Sequence, residues 1–197
     1  MAGVNSAQVY LPTPDQSGTT GAVAVAALGT TAPTDARTAL GASWTTGGYV
    51  SEDGITLGLS RSLTNIKDWS QANVRKALTE FDGTVSCAFL QVDEFAAKEM
   101  FGASNVTVTA ANTTHGNELT IKIGAELAPA KSWCWNMKDG DRRVRVYLPN
   151  AQVTELGDVQ FVPGAGNIYP STISAYPDTN GKSIYVFYDD GQIVVSA

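Results

Sequence analysis

The chain has 197 residues, of which 43% are hydrophobic and 16% charged, and its formal net charge is −6. That apolar content supports the core of one domain, or of one domain with arms, while the low charged share leaves surface to be covered by neighbours. The acidic balance makes the chain a poor candidate for gripping phosphate, which rests on Lys and Arg displacing counterions, while remaining compatible with lining a passage that nucleic acid crosses without sticking.

Residues 1–47 read as an extended N-terminal arm making contacts between subunits. Pro12, Pro14, Gly18, Gly21, Gly29 and Pro33 punctuate a polar, Thr-rich segment broken by one apolar run, residues 22–28. A floppy linker has no need of Val4, Val9, Tyr10, Leu11 and Trp44, so the arm is expected to lie against another surface rather than to be disordered. Its candidate contact residues are Val9, Tyr10, Leu11, Val23, Val25 and Leu28. A short helical turn is expected from Thr34 or Asp35, ending before Gly41.

Residues 48–197 read as one β domain organised around residues 55–91. That stretch lacks proline, is rich in Thr, Val, Leu and Ile, and carries one turn at Trp69-Ser70-Gln71-Ala72. It reads as a long β-hairpin, the second strand bent at Asp82-Gly83. From Ile55 to Trp69, at roughly 3.3 Å per residue, the first strand spans about 50 Å. A globule of this chain length is only about 40 Å across. A two-stranded ribbon of that reach is marginal alone and exposes edge groups that invite aggregation unless paired. Another copy of the same chain is the economical cover. The candidate inter-subunit residues are Arg61, Asn65, Lys67, Asp68, Trp69, Gln71, Arg75, Lys76 and Glu80, whose mixed signs suit strand pairing between subunits.

A helix is expected over residues 93–101, with Asp93 as N-cap, Val92, Phe95, Ala96 and Met100 on one face, and Gly102 as the stop. Strand signals follow. Residues 106–110 form one, a polar loop spans 112–117, and Leu119, Ile121, Ile123, Ala125 and Leu127 alternate with polar or small residues. Trp133, Trp135 and Met137 alternate on the next strand, and Asp139-Gly140 turns it towards Val144, Val146 and Leu148. Weaker strands are expected at 153–162 and 171–176. The Asn180-Gly181 turn precedes a strand over 184–188, and 192–196 is a short apolar strand or tail. Turns every ten or so residues indicate an antiparallel sandwich or barrel.

Catalytic constellations are lacking. His115, the sole histidine, sits in a polar loop without the companions of a zinc site or a nucleophile. Gly164-Ala165-Gly166 lacks the GK[ST] of a phosphate loop and reads as a turn. Asp178-Thr179-Asn180-Gly181 lacks the downstream glutamate of a calcium loop and reads as a hairpin turn. Glu52-Asp53 and Asp189-Asp190 are adjacent acids, placed by a strand on opposite faces. Arg142, Arg143 and Arg145 suggest either a nucleic-acid patch or, with Asp139 and Asp141 beside them, a salt-bridged edge or subunit contact, which is favoured. Trp44, Trp69, Trp133 and Trp135 suggest a sugar-stacking platform or, for two of them, core. Cys87 and Cys134 sit in apolar runs as buried free thiols do, consistent with a reducing cytoplasm. No secretory signal and no run of ~20 apolar residues is present, so no membrane partner is expected. No catalytic, cofactor or metal residues are assigned.

Several runs carry a family resemblance. Leu28-Gly29-Thr30-Thr31-Ala32-Pro33-Thr34-Asp35-Ala36, then Gly48-Tyr49-Val50-Ser51-Glu52-Asp53-Gly54-Ile55, resemble major tail tube proteins of long non-contractile-tailed phages, especially those infecting actinobacteria. So do Trp69 with Val74-Arg75, the Glu80 strand, Phe95 with Met100-Phe101-Gly102 after Phe89-Leu90-Gln91, and Ile173 with Tyr176-Pro177-Asp178 and Gly181. The resemblance implies a mainly β fold, an antiparallel β-sandwich or rolled barrel with one flanking helix. It also implies hexameric rings stacked into a tube for genome ejection, with the hairpin lining the lumen and arms joining rings. Implied partners are further copies of the chain, a tape-measure protein, the tail terminator and distal tail proteins, with DNA passing transiently and unbound. Many relatives add a C-terminal immunoglobulin-like domain; this chain stops at Ala197, so none is expected. The implied location is the virion tail, after synthesis in the host cytoplasm. The Arg and Lys residues of the hairpin are expected to be neutralised by Asp68, Glu80 or a neighbour's acids. The alternative reading is a carbohydrate-binding or adhesin-like β-sandwich module.

Overall fold

The structure, a computed structural model, describes residues 4, 8–16, 21–164 and 166–192. Eleven strands and one α-helix run in the order β1 (Thr13–Pro14), β2 (Val23–Ala26), β3 (Thr45–Gly47), β4 (Val50–Lys67), β5 (Asn73–Phe89), α1 (Glu94–Phe101), β6 (Val106–Thr109), β7 (Glu118–Ile121), β8 (Lys131–Asp139), β9 (Arg142–Leu156), β10 (Tyr169–Tyr176) and β11 (Tyr185–Asp189). Nine of them form one antiparallel sheet with the path β3-β2-β8-β9-β10-β5-β4, β1 joining beside β8 and β11 beside β9. A separate ribbon pairs β6 with β7.

The two ends of that path, β3 and β4, are consecutive in the chain and joined through Gly48 and Tyr49. The sheet therefore rolls until its edges meet at a corner, although no ladder closes it. Gly48 makes the corner possible: its φ is +75°, and a Cβ there would stand 2.9 Å from the Phe89 ring, so only glycine fits. Inside the roll lie Val23, Val25, Val85, Phe89, Trp133, Trp135, Leu148 and Ile173, each nearly or wholly excluded from solvent. The rings of Trp133 and Trp135 stack at 5.8 Å between centroids.

Helix α1 covers this core as expected. Asp93 accepts the Ala96 N–H at 2.8 Å as N-cap, and Gly102 ends the helix at φ 86°. Ala96 and Met100 of the expected face are buried, joined by Ala97 and Phe101. Glu99, also buried, is held by the Lys131 ammonium at 2.7 Å.

Several elements differ from expectation for identifiable reasons. β2 pairs on both sides, between β3 and β8, and residues 22–26 of the N-terminal segment are part of the chain's own core. The helical turn expected after Thr34 is a run of bends, although the Asp35 carboxylate takes the N–H groups of Arg37 and Thr38 as a helix N-cap would. The Arg145 guanidinium takes the Asp35 and Thr38 carbonyls that a helix would have used. The alternation after Leu119 stops pairing at Ile121, since its partner β6 begins only at Val106.

The expected strand around 144–148 and the first part of that expected over 153–162 are one strand, β9, which ends at Leu156. Its Pro149, which has no N–H to give, falls where the β8 register shifts between Lys131 and Trp133. Asn180-Gly181 is a turn, but β10 and β11 do not pair with each other; both lie end to end along β9. The expected bend at Asp82-Gly83 is also displaced: β5 pairs continuously there, and the irregularity falls at Thr79, between the Ser62–Glu80 and Leu63–Leu78 rungs. Of the expected terminal strand only Gln192 lies among the described residues, and Ala165 of the glycine-rich turn lies outside them.

Candidate assembly surface on the hairpin and its sheet

The β4–β5 hairpin leaves the body at Gly83. Ala175 opposite Gly83 is the last rung between β10 and β5, whereas β5 and β4 stay paired as far as Lys67 and Asn73. The ribbon beyond Leu59 extends roughly 30 Å at the usual rise per residue. Every residue of β4 from Leu59 outward is exposed. The turn is built locally. Asp68 accepts from the Ser70 hydroxyl at 2.7 Å and the Ala72 N–H at 2.9 Å, and these bonds hold its carboxyl below the usual carboxylate range. Gln71 takes the left-handed conformation, φ 67°. Trp69 projects at the tip with a relative exposure of 101%.

Directly opposed residues of an antiparallel pair share a face, and the register gives this ribbon two unlike faces. The face continuous with the core carries Leu59, then Arg61 opposite Phe81, Leu63 opposite Leu78, and Asn65 opposite Lys76. Leu59, Leu63, Leu78 and Phe81 remain 40–60% exposed. Arg61 lies over the Phe81 ring at 5.9 Å, a cation–π contact. The opposite face carries Thr56, Ser60, Ser62, Thr64 and, at the tip end, the exposed Ile66 on β4, with Ser86, Thr84, Asp82, Glu80, Ala77 and Arg75 on β5. It continues across β10 and β9 as a hydroxyl band: Ser86 meets Thr172 at 3.4 Å, and Thr154 meets Ser174 at 2.7 Å. Its charges are Glu80, Asp82 and Glu155 against Arg75.

The hairpin residues expected to make contacts thus divide between surfaces. Arg61, Asn65 and Lys76 share the apolar face, Arg75 and Glu80 share the hydroxyl face, and Lys67, Asp68, Trp69 and Gln71 form the tip. Among the described residues Lys67, Arg75 and Lys76 make no ion pair within the chain, and Asp68 is committed to its own turn rather than to neutralising them. The apolar row Leu59, Leu63, Leu78 and Phe81 was not singled out from sequence, although the period of two from Leu57 through Leu59 and Leu63 signals it.

The candidate contact residues of the N-terminal segment lie in different environments. Val23 and Val25 are 0% and 2% exposed, their side chains spent on the chain's own core. Val9, Leu11 and Leu28 are exposed. Tyr10 packs on Tyr188 at 5.6 Å and lies beneath the Arg142 guanidinium at 5.4 Å. The neighbouring cations are also satisfied internally: Arg142 by Asp139, Arg143 by Asp15 at 3.6 Å, and Arg145, 5% exposed, by Asn136 and two carbonyls. Trp44, Trp133 and Trp135 are buried, which leaves Trp69 alone of the four on the surface. His115 closes its own loop, with Asn112 at 2.6 Å from Nε2 and the Gly116 carbonyl at 2.7 Å from Nδ1. Among the described residues no three His, Cys, Asp or Glu side chains cluster as metal ligands, and no helix is long and apolar enough to cross a membrane.

A rolled antiparallel sheet that projects a long, half-apolar ribbon and a hydroxyl-lined face is the build of a self-assembling structural subunit. The family model for phage tail tube protein matches residues 15–195, and the chain belongs to that family. It is a structural component of a phage tail that assembles with its own kind into a tube and associates with other tail proteins. No curated protein matches the chain.

Proposed function

We propose that six copies close into a ring through the β4–β5 hairpin, and that rings stack into the conduit through which the genome of a long non-contractile-tailed phage is ejected. The observation that carries this reading is the hairpin itself, which leaves its sheet at Gly83 with one face apolar and exposed. Such a ribbon is unstable as an isolated pair, and a head-to-tail contact repeated around a closed ring pairs every edge. The apolar row faces protein, and the band of Ser and Thr with Glu80, Asp82 and Glu155 faces the bore. The one cation of that band, Arg75, sits at its tip end opposite Ile66, so along the bore DNA meets little counterion-releasing surface and slides.

The exposed residues of 8–16 and Leu28 serve contacts between rings. Ring stacking is open-ended, so a tape-measure protein and a terminator set the length, and distal tail proteins begin it. The chain is made in the host cytoplasm and acts by assembly rather than catalysis. Negative-stain microscopy of the concentrated purified chain tests the reading, with rings or tubes expected. A chain with a shortened hairpin and Trp69→Asp is expected to stay folded and monomeric; tubes from that variant would remove the hairpin from the assembly mechanism.

A further inference from the structure

Where the rolled sheet fails to close, it leaves a cleft of about 230 Å³. Pro12, Val50, Ile55 and Met137 line it, and Glu52 and Asp53 stand on its rim. Across these residues β4 slips by several positions against β5, from Val50 opposite Phe89 to Ile55 opposite Cys87. Glu52 and Asp53 are exposed there, and neither makes an ion pair among the described residues. The hairpin tip presents the complement. Trp69 is wholly exposed and flanked by Lys67, Arg75 and Lys76, also without ion pairs among the described residues. The tip's own acid, Asp68, is tied into the turn.

We propose that the hairpin tip of one copy docks in the seam cleft of another, with the Trp69 indole against Pro12, Val50, Ile55 and Met137, and Lys67, Arg75 and Lys76 against Glu52 and Asp53. The assignment rests on the ring-forming role proposed for the hairpin and names the receptor for its end. Size, polarity and charge agree: an aromatic anchor in an apolar pocket with charges at the rim is the usual anatomy of an interface hot spot. The docking is between copies by necessity. Trp69 stands about 46 Å along the strand from Ile55 at the usual rise, so no tip reaches its own cleft. A second groove beside the hairpin, between Leu59, Phe81 and Ile184, is rimmed by Arg61 and Lys182 and repels a basic tip.

The test begins with wild-type tubes; their absence would sink the proposed function itself, together with this docking. A chain carrying Trp69→Cys and Glu52→Cys is assembled and treated with a short bis-maleimide, Cys87 and Cys134 being buried. A ladder of covalent oligomers is expected, and none from Trp69→Cys with Lys182→Cys. Assembled tubes without the first ladder, or with the second, overturn the docking and leave the tube reading standing. Protection of Glu52→Cys from maleimide already in the unassembled subunit would show that the chain covers its own cleft, and would also overturn it.

A charge exchange decides the matter if the cysteine chain does not assemble. Glu52→Lys with Asp53→Lys is expected to weaken assembly by about tenfold in critical concentration or more, and adding Arg75→Glu with Lys76→Glu is expected to restore it. Unimpaired assembly of the first variant, or no restoration by the second, overturns the proposal.

Discussion

Leu59 faces Gly83 across the hairpin at the rung where the ribbon parts from the sheet. Gly83 is buried there, and a Cβ on it would stand 2.8 Å from Ile184 Cδ1 and 3.3 Å from the Phe81 ring. The root of the hairpin is thus clamped by the loop ahead of β11. A large side chain at this position is an overpacking lesion, worth about 1–3 kcal/mol. Gly83→Leu is expected to lower the unfolding free energy of the unassembled subunit, measured by denaturant titration, by that amount, and Ile184→Ala to recover part of it. Purely additive effects of the two changes would show that the clamp is absent.

Arg145 holds the segment before β3 onto the sheet. Its Nε donates to Asn136 Oδ1 at 2.7 Å, Nη1 to the Asp35 carbonyl at 2.7 Å and Nη2 to the Thr38 carbonyl at 3.0 Å. Arg145→Ala leaves those acceptors without their donor and is expected to destabilise the subunit by about 3 kcal/mol. Arg145→Lys is expected to recover little, because an ammonium does not reproduce the fork. Fluorescence of Trp44, buried beside this segment, reports the release. An Arg145→Ala protein with a wild-type midpoint would refute the clasp.

The same segment gives a pH dependence. Asp35 is held well below the ordinary carboxylate range by the Thr38 N–H, then by the Thr38 hydroxyl and the Arg37 N–H. Asp189 is lowered by the Arg37 guanidinium and then the Gly191 N–H. A depressed carboxyl stabilises the fold fully above its unfolded value of about 3.9, and that contribution is lost as the pH falls towards the folded value. The stability difference between wild type and Asp35→Ala is therefore expected to be constant from pH 7 to 5 and to shrink between pH 4 and 2. A gap that stays the same at pH 2.5 would contradict it.

Both thiols are expected to be silent in the native subunit. Burial pushes Cys87 up to about 11 and Cys134 up to about 12, and the thiolate is the reactive form. Iodoacetamide at pH 8 is expected to label neither until denaturant is added. Rapid native labelling at either position would mean that the roll opens readily.

What was legible from sequence is local in origin. The proline-free run with a single turn is a hairpin because period-two side chains and the turn around Trp69 repeat within a few residues. Asp93 and Gly102 bound α1 because caps act within one turn. Where partners are distant in sequence, expectation and structure diverge. The apolar run of residues 22–28 reads as part of an arm, since nothing nearby shows that β8, over a hundred residues later, accepts β2 as a neighbour. The Asn180-Gly181 turn reads as a hairpin tip, since a turn does not reveal that both flanking strands choose β9.

The amino-acid sequence by itself determined the alternation of faces, the turns, the caps and the length of the ribbon, because each depends on neighbours along the chain. Only the tertiary structure decided that β3 and β4 meet at Gly48 without closing, and that Val23 and Val25 belong to the core. Those outcomes depend on which long-range pairings bury the most apolar surface while leaving no ladder group stranded, and that competition is settled among strands far apart in the chain.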